Sequence, residues 1–177
     1  SYTTGVTQID GSSVFDTSSD YLSCGNNSSI TPSSAITVSA WVYSVDDISD
    51  WESIGGVTTD DGLSDGYGLF FNKSKLGFYI NRYDNFAESE ISMVETWNYV
   101  VGTYDKDAGG TDEIKVYVNG VKGTKDGDLS NSITYGAGEL EIGQLGGWAG
   151  DWLNGNIDEF RVANIARSAD WIVTEFN

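Results

Sequence analysis

The chain is written largely in period-two runs, and that pattern restricts it to sheet. Ala35–Tyr43 (AITVSAWVY), Tyr67–Phe71 (YGLFF), Lys75–Ile80 (KLGFYI), Trp97–Tyr104 (WNYVVGTY), Glu113–Val118 (EIKVYV) and Glu139–Gly143 (ELEIG) are rich in β-branched and aromatic residues and are bounded by Gly, Asn, Asp and Ser clusters. Successive strand side chains point to opposite faces, so short alternating runs joined by tight turns build an antiparallel sandwich. In Ala35–Tyr43 the residues Ile36, Val38, Ala40 and Val42 share the core face, while Thr37, Ser39, Trp41 and Tyr43 share an amphipathic face expected to be partly covered. Asn119-Gly120, between Tyr117-Val118 and Val121, predicts a two-residue hairpin turn, because both central positions of that turn need positive φ. Only Ser168–Glu175 reads as helical, with Ser168 as N-cap and Asp170 in the first turn, and it is expected to form a single short turn at most.

The 177 residues suffice for one sandwich core without disulfides, and no repeat, linker or low-complexity tract divides them. The expected organisation is a single all-β domain over residues 1–177. With 22 Gly against one Pro, the composition suits many turns between short strands.

Twenty-seven acidic residues face nine basic ones, a formal charge of −18 that repels nucleic acid and anionic membrane surfaces. The excess keeps a surface hydrated in salty water, and it also suits hard divalent cations, which take carboxylate and carbonyl oxygens. There is no His, which removes the commonest general base, the usual partner of a Ser or Cys nucleophile and the imidazole zinc ligand. Cys24 has no partner for an intramolecular disulfide; alternation places it on one face with Leu22, as a small buried hydrophobe, and the redox compartment stays open. No stretch approaches the ~20 apolar residues of a membrane helix, so membrane insertion is not expected. The polar start Ser1–Thr4 lacks a signal peptide and an initiator Met, as in a processed mature protein or an excised domain.

Four segments carry a resemblance in the expected order, from about Val14 to Phe176. Val14–Leu22 resembles an opening in which an apolar-Asp-Gly turn leads to Asp-Tyr-Val, with Thr17 standing where Gly is usual. Ile36–Val42 is similar to a Trp-bearing strand, and Trp97–Asp105 to the strand before a Tyr-Val-Asn-Gly hairpin. Gly155–Arg161 matches a closing Gly-x-Ile-Asp-Glu signature. Together they resemble a laminin-G-like jelly roll of the concanavalin A-like superfamily, and Asn164–Trp171 further resembles such modules in secreted bacterial and archaeal surface proteins. The resemblance implies an antiparallel two-sheet sandwich and an extracellular or cell-surface location.

What the resemblance implies for metal is a Ca²⁺ ion tying the first strands to the last, with carboxylates from Asp16 and Asp158 and backbone carbonyls of the Asp16–Asp20 turn. The bland alternative is that Asp158 ends a strand and hydrogen-bonds a turn. In Thr58–Gly66 the carboxylates of Asp60, Asp61 and Asp65 crowd around two glycines without EF-hand spacing, as a solvated turn or a ligand-facing loop. Sugar sites pair a flat aromatic surface with Asp, Asn or Arg groups. Trp148 beside Asp151 fits that description best, with ligand contact and loop packing both open; Trp51 and Tyr83, the latter in Asn81–Asn85, are further candidates for which packing or plain exposure is favoured. Trp152 reads as core packing.

The Glu-x-Asp-x-x-Glu run of glycosidases on this sandwich is missing, and Glu139-Leu140-Glu141 has no third acid following, so no catalysis is expected. The expected function is a calcium-stabilised binding module for a glycan or surface glycoprotein. The alternative is a structural subunit of an adhesin, surface layer or filament, self-associating through edge strands or through Ser1–Gln8.

Overall fold

The computed structural model describes residues 7–9, 11–16, 19–45, 51–73, 75–89, 95–146 and 152–177. Two sheets pack face to face. One runs β1 (Thr7–Ile9), β2 (Ser12–Phe15), β13 (Gly155–Ala163), β4 (Ala35–Ser44), β9 (Trp97–Asp105), β10 (Ile114–Val118) and β11 (Val121–Lys122). The other runs β3 (Leu22–Ser23), β12 (Leu140–Ile142), β5 (Trp51–Val57), β6 (Tyr67–Asn72), β7 (Lys75–Ile80) and β8 (Arg82–Glu88). Neighbouring strands pair antiparallel, as the alternating runs predict.

Between the sheets the inward positions are shut off from water. Ile36, Val38 and Ala40 are 0% exposed and Val42 1%; from the facing sheet come Tyr67, Leu69 and Phe71 of β6 and Leu76, Phe78 and Ile80 of β7. Each of the Val, Leu, Ile and Phe side chains among them stabilises the fold by about 1.5–3 kcal/mol relative to an exposed one. The two layers interlock at Gly102 of β9, where a Cβ would lie 2.3 Å from the Phe78 ring, so the missing side chain makes room for the ring.

The second face of β4 is covered, as its amphipathic pattern predicts. Helix α1 (Ala169–Phe176) lies over it, starting at Ser168, whose Oγ accepts from Trp171 N–H at 3.3 Å. Ile172 is fully buried against Tyr99, Val101 and Tyr117, and Phe176 meets Trp41 with ring centroids 6.0 Å apart. At eight residues the helix is longer than the single turn expected, because packing on the sheet stabilises what local propensity alone does not. Thr37 pins its approach by donating to the Ile165 carbonyl at 2.6 Å and accepting from Arg167 N–H at 2.9 Å.

At the β10–β11 hairpin Asn119 and Gly120 have φ of 52° and 78°, the positive pair the turn demands. The Asn119 side chain ties the turn to the neighbouring strand, accepting from Tyr99 N–H at 2.9 Å and donating to Asn98 Oδ1 at 2.8 Å. Cys24 is exposed, contrary to the expectation of burial: β3 ends at Ser23, so the alternation shared with Leu22 does not continue into it. Among the described residues no helix is long and apolar enough to cross a membrane.

Candidate functional site

Trp51 and Tyr83, for which the sequence favours packing or plain exposure, are strand residues of β5 and β8. They belong to an aromatic layer on the face of the six-stranded sheet turned away from the core. Alternation in β6 and β7 sends Phe70 and Tyr79 to this side while Leu69, Phe71, Phe78 and Ile80 go inward. Trp51 stacks on Phe70 at 4.6 Å and 20°, and Phe86 meets Phe70 edge-on at 5.7 Å. Tyr83 stands edge-on to Trp51 at 4.9 Å and parallel to Phe86 at 5.9 Å. The layer has room because Gly77 underlies Phe70, a Cβ there falling 2.3 Å from the ring. Lys125 caps the far end, its Nζ 3.8 Å from the Phe86 centroid.

The acidic loop 58–66 folds over the edge of this layer, and its carboxylates hold it in shape. Asp65 accepts from Thr58 Oγ1 (3.0 Å), Thr59 N–H (2.7 Å), Thr59 Oγ1 (2.6 Å) and Gly136 N–H (2.6 Å). Partial burial opposes ionisation of Asp65, yet these donors outweigh it and hold its carboxyl below the usual range. Asp60 accepts from Ser64 Oγ at 2.8 Å, closing a turn in which Leu63 takes φ 46°. Leu63 is buried, and its carbonyl accepts from Tyr83 N–H at 3.1 Å, docking the loop on β8.

Loop and strand enclose a cleft of about 550 Å³ lined by Gly62, Leu63, Ser64, Arg82, Tyr83 and Asp84. Tyr83 is 42% exposed, and Arg82 Nη2 lies 2.9 Å from Asp84 Oδ2 along β8. An aromatic surface, a guanidinium, a carboxylate and a hydroxyl thus converge in one hollow, the combination that binds a ring with apolar C–H faces and a fringe of hydroxyls. Sequence reading singled out Tyr83, Asp60 and Asp61 but missed Arg82, Asp84, Ser64 and Leu63. The available signal was a cation directly beside an aromatic in a chain poor in cations.

The remaining candidates separate. Asp60 supports Ser64 rather than lining the cleft, and Asp61 is exposed next to Gly62 without lining it. Trp148 and Asp151 lie outside the described residues. Trp152 is half-buried and donates its indole N–H to Gln144 Oε1 at 2.9 Å.

For the calcium expectation, Asp16 and Asp20 are brought together: Asp20 is buried and its Oδ2 accepts from Asp16 N–H at 3.1 Å. Asp158 is not brought to them. Phe15 pairs with Gly155, which places Asp158 four positions along β13 from the level of Asp16, about 13 Å at strand rise. Asp158 Oδ1 accepts from Glu159 N–H at 2.8 Å, where β13 bulges and Glu159 has φ 51°. The backbone carbonyls that such an ion would draw from the Asp16–Asp20 turn belong in part to residues 17–18, outside the described residues, and among the described residues no group of three or more His, Cys, Asp or Glu could hold a metal ion.

The family model described as the concanavalin A-like lectin/glucanases superfamily matches residues 16–173. No curated protein matches the chain in sequence. Among solved structures, the chain is similar to domain 4 of the extracellular GH43 arabinanase AbnA of Geobacillus stearothermophilus, in complex with arabinotriose, at 17% identity and TM-score 0.73, covering 98% of this chain and 82% of that one. It is similar to the CBM40 of the Ruminococcus gnavus IT-sialidase, bound to α2,3-sialyllactose, at 14% identity and TM-score 0.65, covering 88% and 92%. A heptameric SAP-like pentraxin of Limulus polyphemus matches at 16% identity and TM-score 0.61, covering 89% and 81%.

Proposed function

The chain belongs to the concanavalin A-like lectin/glucanase superfamily, and on that premise we propose that it is a non-catalytic carbohydrate-binding module whose saccharide site is the cleft around Tyr83. The observation that carries the reading is the exposed Tyr83 ring, held rigidly by Trp51 and Phe86, in the same hollow as Arg82, Asp84 and Ser64. A saccharide ring laid on Tyr83 gains C–H contact with the aromatic face, while the polar groups orient its hydroxyls. The exposed Arg82–Asp84 bridge is worth little in water, so both side chains can exchange that contact for sugar hydroxyls at low cost.

Neighbours of the same fold that hold arabinotriose or sialyllactose support saccharide recognition as the class of function. The missing His and missing glycosidase acid run support binding without turnover. A location outside the cell and a role in adhesion or substrate targeting follow from the same reading. Isothermal titration of the protein against a panel of plant, microbial and animal glycans tests it. Saturable binding that Tyr83→Ala weakens about tenfold supports the cleft; binding unchanged in that variant removes it.

A further inference from the structure

We infer that the cleft selects uncharged saccharides and rejects glycans bearing carboxylate or sulfate groups. The inference rests on the cleft being the saccharide site and concerns which chemical class it takes. Its lining holds one cation, Arg82, and that charge is already met by Asp84 at 2.9 Å. Behind Ser64 and Gly62 stand three further carboxylates. Asp60 is hydrogen-bonded to Ser64 Oγ at 2.8 Å, Asp61 is exposed next to Gly62, and Asp65 follows Ser64.

The four donors on Asp65 hold it ionised, so this negative charge is built into the loop that forms one wall. Beyond Phe86, which lies parallel to Tyr83, the Lys125 ammonium is engaged on the Phe86 ring. Among the described residues named here, four carboxylates against two cations leave the neighbourhood negative, inside a molecule of formal charge −18. A ligand carboxylate entering here meets repulsion at short range, and the long-range field lowers its local concentration before contact. A neutral pyranose or furanose meets neither penalty and keeps the aromatic face and the polar pair. The fold neighbour that holds sialyllactose therefore shares the scaffold with this chain without predicting its ligand.

The test is an array of neutral glycans, each printed beside its sialylated, uronate-bearing or sulfated counterpart, probed at low and high sodium chloride. Expected is retention of neutral members about tenfold stronger than of their anionic counterparts at low salt, the gap narrowing at high salt as screening weakens the repulsion. The Asp61→Asn variant, checked by circular dichroism for an intact sheet, removes one negative charge from outside the lining and is expected to narrow the gap at low salt. Equal or stronger retention of anionic members by the unmodified protein overturns the inference and leaves saccharide binding standing. Retention of neither class overturns saccharide binding itself, and the inference with it.

Discussion

Tyr83 meets Trp51 edge-on, with ring centroids 4.9 Å apart and planes at 77°, so the exposed ring of the outermost strand β8 is braced by the first residue of β5, three strands away. The brace separates two roles that mutation can distinguish. Tyr83→Ala is expected to weaken saccharide binding about tenfold by calorimetry, with a loss of stability below about 1 kcal/mol because the ring is already substantially exposed. Trp51→Ala removes the ring stacked on Phe70 and is expected to cost about 2 kcal/mol in urea unfolding as well as affinity. Equal stability losses in the two variants would contradict the division.

Gly77 is a packing requirement of the aromatic layer. Gly77→Ala places a methyl where the Phe70 ring lies, and the expected outcome is a loss of about 1–3 kcal/mol. Near-ultraviolet circular dichroism should change with it, since Phe70 carries the stacked Trp51. An unaltered spectrum would show that the ring is not seated over the glycine.

Asp65 gives the acidic loop a definite pH response. Its carboxyl is held below the usual range in the folded protein, so the stability it contributes is present above the unfolded carboxylate value, about 3.9, and is lost as pH falls through the lower folded value. Asp65→Asn, which offers one acceptor oxygen to four donors, is expected to lose about 1–3 kcal/mol at neutral pH. The difference from the unmodified protein should shrink as the solution is acidified below about pH 4. A difference that is flat with pH would mean the carboxylate does not hold the loop.

Calcium can be examined through the separation of Asp16 and Asp158. Any calcium-dependent rise in melting temperature is expected to respond independently to Asp16→Asn and Asp158→Asn, their effects adding in the double variant. If each single change by itself abolishes the whole rise, one ion joins the two residues in spite of their separation along β13.

Burial of Ile172 gives the C-terminal helix a measurable share of stability. Ile172→Ala is expected to cost about 2–4 kcal/mol, with the near-ultraviolet signal of Trp171 and Trp41 changing alongside because both pack in that cluster. A variant as stable as the parent would show that the helix rests only loosely on β4, β9 and β10.

The strands that announce themselves by period are those whose two faces differ. β7 is Lys75–Ile80 as the alternation predicts, and β4, β6 and β9 extend one residue past their runs. β5 stayed hidden because Gly55 and Gly56 interrupt its pattern, and their reason is tertiary: a Cβ at Gly55 would lie 2.8 Å from the Glu141 carbonyl. β8 stayed hidden because Tyr83, Phe86 and Ala87 break period two where the strand shifts register against β7. The same break conceals the cleft, since Arg82 and Asp84 gain their place only when loop 58–66 docks on that strand.

The position of β13 between β2 and β4 governs the order in which the molecule can be assembled. During synthesis on the ribosome the opening hairpin and β4 emerge long before the segment that joins them, and each waits with a row of unpaired amides and carbonyls. Closure is therefore a late, sequence-distant event that sets a slow folding rate. Nascent chains stopped before Gly155 are left with two adhesive borders and are prone to cluster with one another rather than reach the native state.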